Sequence, residues 1–545
     1  MSFKNSIWIY LLIALGGLLL FLPVQTVHLF DWDEINFAEA AREMILTGDY
    51  LTVRIDFQQF WEKPPFFIWL QALSFSLFGV GEVAARLPNL LCGIITMMVL
   101  YDIGKTLYNK NFGILWVFAY IGSILPQFYF MTGIIDPVYN LLIFLSLYFL
   151  FKYLREPKNS SIAIAGCFAG FAVITKGPVA LFLLGLIFLF ILLFLWRSID
   201  RKALKKGTSI VIFLGPLLLI SSLFYGAEFI KHGPGFFNEF LDYHLRLLQT
   251  SEAGHGQPFY YHFVVLLIGC LPTSLLLFGG LSGFSEDTEG QHTFRKLMII
   301  MLLVVLLVFS IVTTKIIHYS SLCYFPISYL AACFMYHVAY KKVKFRRGLI
   351  ALTLGSTMIV GVLIMMLPLL MRNVELLIPY IADPFAVANL DAEAGWSNMD
   401  MIPGCLFVLA SLAYLWSYKK YGYQWAFIIM LSCTGLATNL MVKLIVPKIE
   451  LITQGAAIEF YKSLRGKDCY VEVLDFKSYA HLFYSGKQQQ ANENSRSKDW
   501  LLEGNIDKPA YFVCKNIHAG KYRKHPQLKE LYEKNGFVFF ERLPG

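Results

Sequence analysis

Asp31-Trp32-Asp33-Glu34, Ala38-Glu39-Ala40-Ala41-Arg42-Glu43-Met44 and Trp61-Glu62-Lys63-Pro64-Pro65 all fall within one loop, residues 31–82, between two long apolar runs. A dense set of carboxylates, with a lysine held between a carboxylate and two prolines, is costly to keep beside a bilayer unless it does chemistry there. The loop therefore marks both the fold, a chain threaded repeatedly through lipid, and the place to look for a site.

Composition supports the threading. Of 545 residues, 57% are hydrophobic and only 15% are charged, with a mean hydropathy of +0.58; soluble chains carry about a quarter charged residues. The net charge of +9 does not indicate nucleic acid, because the basic residues sit in short clusters between apolar spans, as topology signals do. Thirteen spans are expected: 6–29, 83–101, 112–131, 135–154, 161–175, 178–196, 208–229, 259–281, 297–314, 319–339, 348–370, 401–418 and 424–446. The first follows a single lysine and has no small-residue cleavage site, so it reads as an uncleaved signal-anchor. Only Lys176-Gly177-Pro178 separates the fifth span from the sixth, as in a helical hairpin.

Loop charge sets the orientation. Lys105/Lys110, Lys152/Arg155/Lys158, Arg197 to Lys206, Arg295/Lys296, Lys341 to Arg347 and Lys419/Lys420 occupy one alternate set of connections, which the positive-inside rule makes cytoplasmic. The N-terminus is then cytoplasmic, while the 31–82 loop, the 230–258 loop, Lys315, the 371–400 loop and the C-terminal tail face outward. Within the first outer loop, Glu34 to Leu46 reads as a helix with Phe37, Ala41, Met44 and Ile45 on one stripe and Glu39, Arg42 and Glu43 off it. Phe66 to Leu73 reads as a second short amphipathic helix at the membrane surface.

From Pro447 the composition turns polar. A small α/β domain over 447–545 is expected, with strands at Tyr470–Leu474, Ala510–Cys514 and Phe537–Phe540, helices at Lys477–Tyr484 and Gln527–Asn535, and a mobile loop at Gln488–Lys498. Seven of the nine cysteines lie in apolar spans; only Cys469 and Cys514 fall in the tail, where a disulfide is open to them.

Several residues carry candidate chemistry. Asp33, just past the first span, suits a general base toward an acceptor hydroxyl, or a helix N-cap. Lys63, its backbone restricted by Pro64-Pro65, suits a phosphate anion; so, as a clamp, do Lys176, Arg246 and Lys315, although each also fits an interfacial anchor. Asp136 suits a helix cap or a sugar hydroxyl or amine. Glu62 with His244 and His255 is a loose set for a divalent cation; no cofactor is required.

The motifs Asp33-Glu34, Ala38 to Met44, Gly48-Asp49, Glu62-Lys63-Pro64-Pro65 and Trp69-Leu70-Gln71-Ala72 resemble those of the bacterial lipid A aminoarabinose transferases. These belong with the protein O-mannosyltransferases among the polyprenyl-phosphate-dependent glycosyltransferases of the GT-C fold. Thr175 to Leu181, Gly254 to Tyr261, and Lys315 with His318-Tyr319 and Pro326 also look like family signatures, over roughly residues 1–340. The resemblance implies an α-helical integral membrane enzyme of the GT-C fold, residues 1–446, in the bacterial inner membrane. It would move a sugar from an undecaprenyl-phosphate-linked donor to lipid A or another envelope glycolipid at the periplasmic face, with no nucleic-acid partner. It further implies that Asp33 is the key carboxylate, that Lys63 lies near the donor phosphate, and that Glu62, Asp136, Lys176, Lys315 and Tyr319 line the same cavity; beside these, Lys315 and Arg246 are candidates to join Lys63 at the departing phosphate, and Glu34, His244 and His255 are candidates for the cavity wall. Where those transferases usually have Arg-Tyr after Asp-Glu-x, this chain has Asn36-Phe37. A protein acceptor is the alternative within the superfamily. A flippase of lipid-linked sugars is the alternative outside it, and would call for ionisable residues at mid-membrane.

Overall fold

A computed structural model describes residues 3–22, 27–200, 207–236, 238–240, 242, 256–345 and 347–544. Ten helices in it are long and apolar enough to cross a bilayer, from Glu82–Leu107 to Tyr423–Ser463. Two bent helix pairs have the combined length for a crossing each, and with these and the shorter apolar helix Phe3–Phe21 the helices fall on the thirteen expected spans. The protein is a multi-pass membrane protein.

Three spans are not single straight helices over the expected bounds. The first helix ends at Phe21 rather than Leu29; Pro23, two residues on, has no N–H with which to extend it. Lys110–Ile121 and Ile124–Met131 meet at 84°, across the Gly122-Ser123 break. Tyr261–Gly269 and Thr273–Gly280 meet at 100°, where Pro272 interrupts the hydrogen-bond ladder. Close packing fixes the helix that carries Lys176. A side-chain carbon on Gly166 would stand 2.2 Å from the Phe213 carbonyl oxygen, so only glycine lets helix Asn159–Lys176 lie against Thr208–His232.

The 31–82 loop forms helices Asp33–Thr47 and Phe66–Phe78. Glu39, Arg42 and Glu43, off the apolar stripe, are nonetheless buried. Arg42 grips Glu39 through two bonds of 2.6 and 2.7 Å and donates to the Lys487 carbonyl at 2.7 Å, so this face docks on the C-terminal region. Burial, and then the neighbouring Glu39 charge, push the Glu43 carboxyl up to about 9.

The tail is reached by a continuous helical stretch, Tyr423–Ser463, through a π-helical turn at Leu451–Gly455. It builds a four-stranded sheet in the order Tyr470–Leu474, Ala510–Lys515, Phe537–Arg542, Lys529–Lys534, the first pair parallel and the others antiparallel. Lys529–Lys534 is thus a strand and not part of a helix; its helix-forming residues are overridden by pairing with Phe537–Arg542. The helix expected at Lys477–Tyr484 begins later, at Ala480, and runs to Ser485. Residues 488–498 include a short 3-10 turn at Glu493–Arg496. Cys469 and Cys514 are free thiols. The tail is stitched to the chain just before Asp33. Tyr484 accepts from the Leu29 N–H at 2.6 Å, Gln454 from Asp31 at 3.2 Å, and the Asp31 carboxylate from Tyr479 at 3.0 Å.

Candidate active site

Asp33 opens its helix without capping it: Trp32 holds the N-cap position, in a left-handed backbone conformation (φ 77°), and makes no side-chain cap bond. The Asp33 carboxylate instead turns to His318, Oδ2 to Nε2 at 3.4 Å, and keeps 36% of its side-chain surface exposed. The same His318 nitrogen lies 3.9 Å from Asp136 Oδ2. Asp136, first residue of helix Asp136–Arg155, receives the Lys176 ammonium at 2.6 Å on its other oxygen. That ammonium also sits over the Tyr139 and Tyr319 rings, at 5.4 and 5.3 Å. Lys63 is close enough for its charge to act on Asp136. Four separate loops thus deliver two carboxylates, a histidine and two lysines to one end of the helical bundle.

Each is placed by an identifiable local cause. Gly177, with φ 78°, ends the Lys176 helix where a side chain would be strained. His318 stands in the 3-10 turn Ile317–Cys323, which carries it round toward the two aspartates. The loop before Asp136 is pinned at every carbonyl: Asn89 donates to Thr132 at 2.7 Å and to Ile134 at 2.6 Å, and Gln71 reaches Gly133 at 3.4 Å.

Glu34 ties these parts together. Its carboxylate accepts from Arg86 at 2.9 and 2.8 Å, from the Phe30 N–H at 2.9 Å and from the Gly133 N–H at 2.5 Å. It is 4% exposed and so stands behind the cluster, bracing Asp33 against the Asp136 loop. Burial alone would raise its pKa, but the Arg86 charge and these bonds overcome that and hold it below the ordinary value.

Lys315 is buried and spends its ammonium on the Val312 carbonyl at 2.7 Å. His262, buried beside it, meets Ser320 through Nδ1 at 3.0 Å and leaves Nε2 without a hydrogen-bond partner. Glu62 is half-buried next to Lys63. Arg246, His244 and His255 lie outside the described residues. Among the described residues, no three His, Cys, Asp or Glu side chains are grouped to hold a metal ion. Of the expected residues the structure brings Asp33, Lys63, Asp136, Lys176 and Tyr319 together. It adds His318 as the bridge between the aspartates, a role whose only signal in the sequence is its place three residues after Lys315.

Residues 62–223 match the dolichyl-phosphate-mannose-protein mannosyltransferase family. The chain is similar to two undecaprenyl phosphate-alpha-4-amino-4-deoxy-L-arabinose arabinosyl transferases. Identity is 25% with that of Proteus mirabilis, over 57% of this chain and 56% of the relative, and 27% with that of Yersinia pestis, over 59% and 58%. The match thus spans under two thirds of either relative's length. Along its whole length the fold is that of ArnT from Cupriavidus metallidurans, whose structure was solved bound to undecaprenyl phosphate. The TM-score is 0.74 at 16% identity, covering 99% of this chain and 98% of that one. The chain therefore has the GT-C fold expected from its motifs.

Proposed function

We propose that this protein is an inner-membrane glycosyltransferase that moves a sugar from an undecaprenyl-phosphate-linked donor to lipid A or a related envelope glycolipid at the periplasmic face. The observation that carries the reading is the partly exposed Asp33 carboxylate beside His318, which in turn lies near Asp136 and its partner Lys176, at one end of the bundle. The named substrates of the two similar transferases and the ArnT fold support the donor class.

In this reading an acceptor oxygen attacks the anomeric carbon of the sugar. The carbon–oxygen bond to the lipid phosphate breaks, and the phosphate leaves with the bonding electron pair. Lys63 stabilises the charge that grows on that phosphate, joined by Arg246 and by Lys315 once its ammonium turns from the Val312 carbonyl. Asp33 takes the proton if the acceptor is a hydroxyl, and orients the acceptor if it is already a phosphate anion. Asp136, held by Lys176, keeps His318 against Asp33, and Tyr319 and Glu62 border the sugar. A protein acceptor, suggested by the mannosyltransferase match, has no further observation in its favour. A transporter would not need a half-exposed carboxylate braced at one end of the bundle.

Mass spectrometry of lipid A and envelope glycans from a deletion strain tests the reading. A sugar missing from lipid A supports it and identifies the sugar. A sugar missing only from proteins moves the acceptor to polypeptide, and an unchanged envelope overturns the reading. The proposed sidedness is checked by fusing a reporter after Gly545: alkaline phosphatase, which works in the periplasm, should be active there.

A further inference from the structure

The cluster around Asp33 is not the only cationic concavity. A cleft of about 520 Å³ opens where helix Asp33–Thr47 meets the tail, and Arg42, Arg465, Lys467 and Lys487 line it. Three of the charges in its wall are already met: Arg42 by Glu39, Lys487 by Asp56 at 2.7 Å, and Asp468 by Lys508 at 2.6 Å. Arg465 and Lys467 are exposed, and neither stands in an ion pair among the described residues, so the wall keeps two uncompensated positive charges. Arg465 is led across the turn at Gly486, where a side-chain carbon would lie 3.6 Å from its Cγ and Nε.

Positive charge after helix Ala456–Ser463 offsets the carbonyl end of that helix. It does not account for Arg465 and Lys467 standing uncompensated on a wall whose other cations, Arg42 and Lys487, are each paired. Nor does it explain the lip of the cleft, which is apolar. Leu46 and Val80 line it, 47% and 39% exposed. Val80 follows the apolar helix Phe66–Phe78, whose Leu73, Leu77 and Phe78 are each at least 60% exposed. An apolar helix surface that leads into a cationic cleft matches the two halves of an anionic lipid, acyl chains beside a phosphate headgroup.

We infer that the Arg465–Lys467 cleft binds the phosphate-bearing headgroup of a membrane lipid, at a second site apart from the Asp33 cluster. An arginine fork takes phosphate oxygens in pairs, and the adjacent lysine adds a point charge. The inference needs the chain to lie in a membrane and does not depend on the transfer reaction.

The test uses the full chain in detergent, with lipid retention read by native mass spectrometry against four probes: phosphatidylglycerol, phosphatidylcholine, lipid A and inorganic phosphate. The double variant Arg465→Gln/Lys467→Gln changes exposed side chains, and its melting should match wild type. Each cation at a membrane surface contributes about fivefold, so retention of the anionic lipids should fall by about 25-fold while phosphatidylcholine is unaffected. Loss for lipid A alone identifies an acceptor lipid, and equal loss for lipid A and phosphatidylglycerol identifies bulk anionic lipid. Competition by inorganic phosphate with no lipid preference would mean a free-phosphate site and overturn the lipid assignment. Unchanged retention of both anionic lipids, or an equal loss of phosphatidylcholine, would overturn the cleft as a headgroup site.

Discussion

The two ends of the bundle carry clusters of the same residue types. At one, Asp33 and Asp136 flank His318, with Lys176 behind; at the other, Asp287 lies between Arg295 and His337. In the second cluster both carboxylate oxygens have a basic group close by, Arg295 at 2.6 Å and His337 at 2.9 Å, and Asp287 is 1% exposed. Phe284 stacks flat on the His337 ring at 3.7 Å and closes the site. In the first cluster the histidine stands 3.4 and 3.9 Å from its two aspartates, and the Asp33 side chain is 36% exposed. Tight, covered contacts set a basic group against each carboxylate oxygen and hold helices together. Looser contacts beside an open carboxylate leave interactions for a substrate to complete. Residue type alone does not separate the two; distance and exposure do.

That contrast is broken first at its support. Glu34→Ala would leave the buried Arg86 charge unpaired, at a cost of about 3–5 kcal/mol, and the detergent-solubilised protein should melt markedly lower. In the wild type the same pair contributes stability above about pH 4.5, the ordinary glutamate value, and loses it as pH falls through the lowered folded-state value. Wild-type melting by the alanine variant would remove Glu34 as the brace.

Lys63 sharpens the contrast from the other side. If its ammonium meets the leaving phosphate, Lys63→Met should lower transfer by about 10²–10³-fold, and Lys63→Arg should keep part of the activity, at unchanged expression. Equal activity across the series would make it a membrane anchor. The smallest effect concerns the docked face of helix Asp33–Thr47. Because the Glu43 value is raised to about 9, the native state holds that proton more tightly than the unfolded chain, and stability falls as pH rises between the two values. Glu43→Gln removes the titration. Its stability advantage over wild type should widen by up to about 1.4 kcal/mol for each pH unit between 6 and 8. A pH-independent difference would mean that Glu43 is ionised in the fold.

Much of this was legible in the residues because threading through a membrane is a strong constraint. Span ends of one parity share a side, so the Lys and Arg content of the loops already puts Asp33, Asp136, Lys176 and Lys315 on one side of the membrane; that the first three meet there depends on the packing. Local signals also worked where the backbone leaves little choice, as at Lys176-Gly177-Pro178 and in strand Tyr470–Leu474. What was not legible depends on contacts between distant parts of the chain. Glu39 and Arg42 lie off the apolar stripe, and the tail that covers them comes more than four hundred residues later in sequence. Lys529–Lys534 looks helical until Phe537–Arg542 pairs with it. His318 bridges two aspartates only because a 3-10 turn replaces the first turn of the following helix.

If the open cluster works on substrate while its covered counterpart holds structure, one paired measurement separates them. Asp33→Asn and Asp287→Asn are purified, their melting is recorded, and sugar transfer to lipid A is measured per folded molecule. The account predicts that Asp33→Asn melts like wild type and transfers at least about 10²-fold more slowly, whereas Asp287→Asn melts lower and transfers normally once folded. Near wild-type turnover by a well-folded Asp33→Asn protein would contradict it.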